Sequence, residues 1–289
     1  MKHTALATTL LLSSTLLAST AYANMGFVGV EIGKELTVLS DGEGQGFSDD
    51  NSLLALHGAY RFELGSNIAL IGNARLRKES FGTPPTGQEL DDQISASLHA
   101  LFALNEKTQV GAFYGISKQP HIGSTTEDYE NAFYGLELHS SISDRFGFFL
   151  QFGAGDEKST GQSSQGYEGG KFYRAGGYYL LANDATLGLD VEMGSSNLYE
   201  DNDEPGQFRS FTITYEDTLP IQENLSYQVG LRSSNFDALN DPEDVNETSV
   251  FFGIKFNFGG NSAFEQKKAG LVGDPYTPRR AAAVLPFTD

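Results

Sequence analysis

The sequence predicts an all-β protein, a 12-stranded antiparallel transmembrane β-barrel with short turns at one end and longer loops at the other. Apolar and polar residues alternate with period two from Gly26 onward, and short polar turns recur at near-constant spacing with longer polar loops between them. Strands whose two faces meet different surroundings produce the alternation. Hairpins of even length produce the spacing.

Composition removes the main rivals. The chain has 289 residues, no Cys and no Trp, so it is neither a disulfide scaffold nor a cysteine–zinc protein. A net charge of -19 argues against nucleic acid as a partner. A mean hydropathy of -0.30 is too polar for a helical membrane bundle, and 12% aromatic residues are too many for a disordered chain.

The first element is an address. Residues 1–23 begin with Lys2 and His3, continue through an apolar stretch from Ala5 to Leu17, and end on Ala21-Tyr22-Ala23, the small-x-small pattern that a signal peptidase reads. Thr8, Thr9, Ser13, Ser14 and Thr15 interrupt the apolar stretch, which falls short of the roughly 20 residues a spanning helix needs. Export without cysteine fits a Gram-negative envelope, and the barrel pattern places the mature chain in the outer membrane.

Residues 24–261 carry the strands. Leu54, Leu56, Gly58, Tyr60 and Phe62 alternate with His57, Ala59 and Arg61, and Ile94, Ala96, Leu98, Ala100 and Phe102 alternate with Ser95, Ser97 and His99. Helical spacing mixes the two chemistries in these stretches. The turns Gly65-Ser66-Asn67, Asn105-Glu106-Lys107, Ser143-Asp144-Arg145, Asn183-Asp184-Ala185 and Gln222-Glu223-Asn224 begin 40, 38, 40 and 39 residues apart. Read as three-residue hairpin loops, they put Leu64/Ile68, Leu104/Thr108, Ile142/Phe146, Ala182/Thr186 and Ile221/Leu225 opposite one another on the outer face. That reading sets His57 opposite Arg75 and Gly176 opposite Glu192, with Arg174 diagonal to Glu192. Six such periods hold twelve strands.

A soluble β-sandwich also alternates, but its apolar face packs on a second sheet and its edges need protection. Faces such as Phe146, Phe148, Leu150, Phe152 and Val250, Phe252, Ile254, Phe256, Phe258 read as lipid-facing instead.

The last strand contains Gly253-Ile254-Lys255-Phe256-Asn257-Phe258, which resembles the Gly-x-x-aromatic-x-aromatic part of the C-terminal assembly signal of Gram-negative outer-membrane β-barrel proteins. Phe251 stands where that signal usually has a polar residue, and Phe258 is not the last residue of the chain. The resemblance implies recognition of Gly253, Phe256 and Phe258 by the barrel-assembly machinery, and surroundings of outer-membrane lipid and lipopolysaccharide. Over residues 25 to 258 it is to porin-like barrels as a class.

The inward set carries the chemistry. The expected lumen-facing charges are Arg61, Arg75, Arg77, Arg174, Arg232 and Lys255 against Glu31, Glu137, Asp190 and Glu192, with His57 and His99 beside them. These twelve are the candidate pore-lining residues. Neutral members include Asn73, Gln93, Gln109, Gln151 and Gln228, and Phe113, Phe133, Phe149, Phe172, Tyr178 and Phe251 also point inward. The net acidity lies instead in the long loops, which hold 23 of the 38 acidic residues, densely so at Glu200, Asp201, Asp203, Glu204 and Asp241, Glu243, Asp244. No loop has the alternating Asp pattern with a central Gly of a calcium site, so neither metal nor cofactor is expected. His139-Ser140-Ser141 is the one cluster suggesting hydrolysis, but adjacent strand residues point to opposite faces, and no nucleophile with its partners is evident.

Residues 262–289 form a C-terminal tail with Lys267, Lys268, Arg279, Arg280 and three prolines, either flexible or folded into the lumen as a plug. The expected function is a porin-like channel for passive diffusion of small hydrophilic solutes, not an enzyme. The alternative is a side-chain-filled structural or adhesive barrel with acidic surface loops, and a lipid hydrolase ranks below both. A solvated Arg174 would make Arg174→Glu change ion selectivity more than stability.

Overall fold

The computed structural model describes residues 24–40, 47–80, 93–120, 128–159, 167–198, 205–238, 244–259 and 262–275. The signal segment 1–23, His121, six of the seven residues of the two dense acidic runs (Glu200, Asp201, Asp203, Glu204, Asp241 and Glu243) and Arg279 and Arg280 lie outside the described residues.

Twelve strands close into one antiparallel barrel, each bonded to its sequence neighbours, with the last strand returning to the first. They are β1 (Met25–Ser40), β2 (Phe47–Glu63), β3 (Ile68–Ser80), β4 (Gln93–Asn105), β5 (Thr108–Pro120), β6 (Asp128–Ser143), β7 (Phe146–Ser159), β8 (Tyr167–Leu180), β9 (Thr186–Leu198), β10 (Pro205–Thr218), β11 (Leu225–Ala238) and β12 (Asp244–Phe258). A short helix, α1 (Ala263–Lys268), follows. Closure leaves no unpaired edge, the condition for a sheet to sit in lipid. The shortest strands have 13 residues and the longest 17, more than the roughly 9–11 needed to cross a bilayer at a tilt.

The alternation puts apolar residues outside and polar ones inside. On β1 the outward Ile32 is 55% exposed, whereas the inward Glu31 and Glu35 are 3% and 1% exposed. The same inversion holds for Leu98 against His99, and for Val250 and Phe252 against Phe251. Outward aromatic pairs, Tyr60 with Phe258 at 5.7 Å and Tyr215 with Tyr227 at 6.1 Å, sit at the short-turn end, where an interfacial girdle belongs.

Two turn geometries occur. Leu64 N–H donates to the Ile68 carbonyl at 2.9 Å, so Gly65-Ser66-Asn67 is a three-residue loop and His57 pairs with Arg75. The next two turns tighten to Glu106-Lys107 and Asp144-Arg145, with register shifts at 103–105 and 141–143 that restore the same pairing higher up. Beyond β8 the three-residue reading fails. Leu180 pairs with Thr186 and Thr218 with Ser226, so Gly176 faces Asp190 and Arg174 faces Glu192 directly. The β8–β9 loop has five residues, Leu181 to Ala185, closed by Leu181 N–H to the Ala185 carbonyl at 2.8 Å, with Asp184 at φ 65. Thr186, expected outward, is buried on the inner face, and Ile221, expected in a strand pair, is an 87% exposed turn residue.

Inward glycines make room for rings from neighbouring strands. The Phe133 ring lies over Gly115, and the Phe251 ring over Gly230, closer than any side chain would allow. The interior is therefore partly filled.

Candidate functional site

All twelve candidate residues lie on strand positions that face the barrel interior, and the structure gathers ten of them into three groups. At the first group Arg75 donates to Glu31 across β3 and β1 at 2.8 Å. Beside it, toward the long loops, Arg77 and Glu35 form a fully buried pair at 2.8 Å, each side chain 1% exposed. Glu35 escaped the sequence reading although it continues the inward series of Glu31.

The second group runs through five strands. Glu137 on β6 accepts from His99 Nδ1 at 2.9 Å and from His139 Nε2 at 3.0 Å, and Gln151 on β7 donates to it at 2.9 Å. Arg174 on β8 donates to Gln151 at 2.9 Å and holds both Asp190, with Nε at 2.9 Å, and Glu192 at 3.4 Å. The guanidinium also stacks on Phe149, 4.8 Å from its centroid. The ion pair expected for Arg174 is thus present in a corrected register, but it is buried rather than solvated.

The third group lies toward the short-turn end. Lys255 on β12 donates to Glu216 on β10 at 2.7 Å, and Ser226 donates to the same carboxylate at 2.9 Å. Arg232 donates to Thr212 at 3.2 Å and lies over the Phe251 ring. Glu216 was also missed, although the Thr212, Thr214, Glu216 series marks it as inward. Arg61 sits apart, bound to Glu63 at 2.6 Å and to Gln109 at 2.9 Å. His57 faces the cavity, and both of its ring nitrogens lack a hydrogen-bond partner among the described residues.

The tail, up to Pro275, is inside the barrel. Ser262 caps α1 by accepting from Glu265 N–H at 3.2 Å. The helix ends where Gly270 adopts φ +90, with Leu271 N–H bonded to the Gln266 carbonyl at 3.0 Å. That turn sends residues 271–275 along the lumen. Leu271 packs on Ala59, Ala69, Ile71 and Leu101 of β2, β3 and β4, and Phe264 meets Tyr178 edge-on at 5.4 Å. Wall side chains hold the tail backbone: Arg61 donates to the Ala269 carbonyl, and Arg174 to those of Gly273 at 2.8 Å and Val272 at 3.2 Å. Asp274 accepts from Asn73 at 3.1 Å and Ser97 at 2.5 Å, and lies 3.1 Å from His99 Nε2.

Ser97, His99 and Glu137 therefore form a hydroxyl–imidazole–carboxylate row, with Ser97 Oγ 3.1 Å from His99 Nε2. Sequence reading did not find it, because Glu137 lies two strands away. Asp274 closes the open end of this row, bonded to Ser97 Oγ and 3.1 Å from His99 Nε2, so both imidazole nitrogens already face a carboxylate.

The tail lies against β2–β4 and the Phe113, Phe133 and Phe172 rings fill the β5–β8 side, and among the described residues a cavity of about 170 Å³ is left beside them. Its lining includes Glu31, Arg75, Arg174, Asp190, Glu192, Glu216, Arg232, Lys255, Lys267 and Asp274. Charge of both signs faces it in equal number.

No protein-family model matches the sequence, and no curated protein matches it. Among solved structures, an outer-membrane channel from Pseudomonas putida F1 aligns with a TM-score of 0.60 at 11% identity, over 81% of this chain and 95% of that one. The P. putida toluene transporter TodX aligns at 0.48 with 10% identity, over 81% and 89%, and the β domain of the Bordetella autotransporter BrkA at 0.47 with 11% identity, over 81% and 99%. The protein has the fold of a Gram-negative outer-membrane β-barrel.

Proposed function

We propose that this chain is an outer-membrane channel for passive diffusion of small hydrophilic solutes, conducting along the mixed-charge side of its lumen. The observation that carries this is the cavity between the tail and the wall of β1–β3 and β7–β12, lined by ten ionisable side chains of both signs. A water-filled path needs such a lining, because charged groups there replace part of a solute's hydration. The P. putida channel that shares the fold adds support at the level of architecture. Lipid and lipopolysaccharide contact the apolar outer face, and the assembly machinery engages the end of β12, where Phe256 and Phe258 close the barrel against Val28 and Gly26.

Asp274, seated at Ser97 and His99, supports a non-enzymatic reading. The alternative of a filled structural barrel draws on the Phe113, Phe133 and Phe172 cluster, whose rings lie 6.1 to 6.5 Å apart. Insertion of the refolded protein into a planar bilayer separates the two. Discrete current steps support the channel, and a silent bilayer with correctly folded protein supports the filled barrel.

A further inference from the structure

The ionisable groups around the cavity are unequally engaged. Glu31 is held by Arg75, Glu216 by Lys255 and Ser226, Asp190 and Glu192 by Arg174, and Asp274 by Asn73 and Ser97. Each cavity carboxylate therefore already has donors. The Lys267 ammonium, carried in by α1, lines the same cavity with no hydrogen bond or ion pair to any described residue.

The ammonium lies beside Gly188 of β9, whose missing side chain makes room for Thr214 Oγ1, 2.5 Å from where a Cβ would stand, and leaves Lys267 Nζ in ordinary contact range at 3.9 Å. The charged groups acting most strongly on Lys267 are Lys255 of β12, Glu216 of β10, Asp190 of β9 and Arg174 of β8. Five cations meet five carboxylates around the cavity, so Lys267 is set apart by its lack of a direct partner among the described residues and not by an excess of charge.

We infer that the lumen holds a small anion, at largest a short-chain carboxylate, at the Lys267 ammonium, so that the C-terminal tail supplies the anion-selecting group of the pore. An anion is the ligand because the cavity's acceptors are already engaged while its one unengaged charge among the described residues is a donor. The size limit is the cavity of about 170 Å³. Burial, reinforced by the Lys255 ammonium, lowers the Lys267 pKa to about 8. A bound anion would favour the charged form and raise it. The selectivity part of this inference rests on the channel reading, whereas the binding part does not.

Protein labelled with 13C at lysine Cε, refolded in detergent, tests binding without requiring conductance. The Lys267 resonance, identified by its loss in Lys267→Gln, should titrate near pH 8 and move saturably with acetate, its midpoint shifting upward. A resonance indifferent to acetate in heat-modifiable, folded protein overturns the site. In planar bilayers under a KCl gradient, the reversal potential should report anion preference that Lys267→Gln reduces severalfold and Lys267→Arg retains. Unchanged selectivity in Lys267→Gln overturns the selecting role. Acetate binding without any current retains the site and overturns the channel reading.

Discussion

Arg174 on the barrel wall donates to the backbone carbonyl of Gly273 in the tail, 2.8 Å away, while its other face holds Asp190 and Glu192. One guanidinium thus joins the wall's own charge network to the segment that narrows the lumen. Arginine suits this position because its planar fork can serve several acceptors at once.

Removing that guanidinium should be costly. Arg174→Leu leaves Asp190 and Glu192, side by side on the inner face of β9, in a confined space without their counterion. Breaking a buried pair in this way typically costs about 3–5 kcal/mol. Urea unfolding followed by gel mobility should show a lowered midpoint. Arg174→Glu should be at least as destabilising, contrary to the expectation from a solvated pair.

Arg77 and Glu35, each 1% exposed, should behave similarly. Arg77→Leu should lose about 3–5 kcal/mol, while the double change Arg77→Leu with Glu35→Leu should recover part of it, since neither member of the pair is left charged without the other. A double variant no more stable than the single one would show that the pair is not the source of the loss.

At Gly230 the Phe251 ring occupies the place of a side chain. Gly230→Val should therefore destabilise the barrel by about 1–3 kcal/mol through overpacking, and Gly230→Val with Phe251→Ala should relieve it. Gly72, where nothing lies within 4 Å of an added Cβ, provides the control, and Gly72→Ala should leave the unfolding midpoint unchanged.

Raising the pH through about 8 should neutralise Lys267 and reduce the anion preference of the current. Selectivity should be greatest below that pH, where the ammonium is charged, and Lys267→Gln should show no such step. A reversal potential flat across this range in the wild-type protein would assign the selectivity elsewhere.

Topology offers a separate check. Because the strand number is even, both ends of the barrel lie with the short turns, which in such barrels face the periplasm. An epitope inserted at Asn202, between β9 and β10, should be labelled on intact cells, and one at Glu106 only after permeabilisation. The reverse pattern would invert the orientation.

The inward and outward faces were legible because period two is written into nearly every strand, as in Leu98 against His99. Register after β8 was not. Thr186 is compatible with either face, and Ile221 is an apolar residue spent on a turn, so the three-residue loop rule misplaced both hairpins by two residues. The Ser97, His99 and Glu137 row needs neighbouring strands in correct stagger around a closed sheet, which no local pattern encodes. The tail's path was equally hidden. It depends on one left-handed turn at Gly270 and on polar wall groups 98 to 208 residues away in sequence.

The most direct test compares planar-bilayer currents of the full chain with those of a chain ending after Asn261. β12 already ends at Phe258, and the tail contributes no strand, so the shortened barrel should fold. The account predicts small, anion-preferring current steps from the full chain and severalfold larger, less selective steps once the tail is removed. Folded protein that is silent in both forms would contradict it, leaving a barrel whose lumen is sealed by its own side chains.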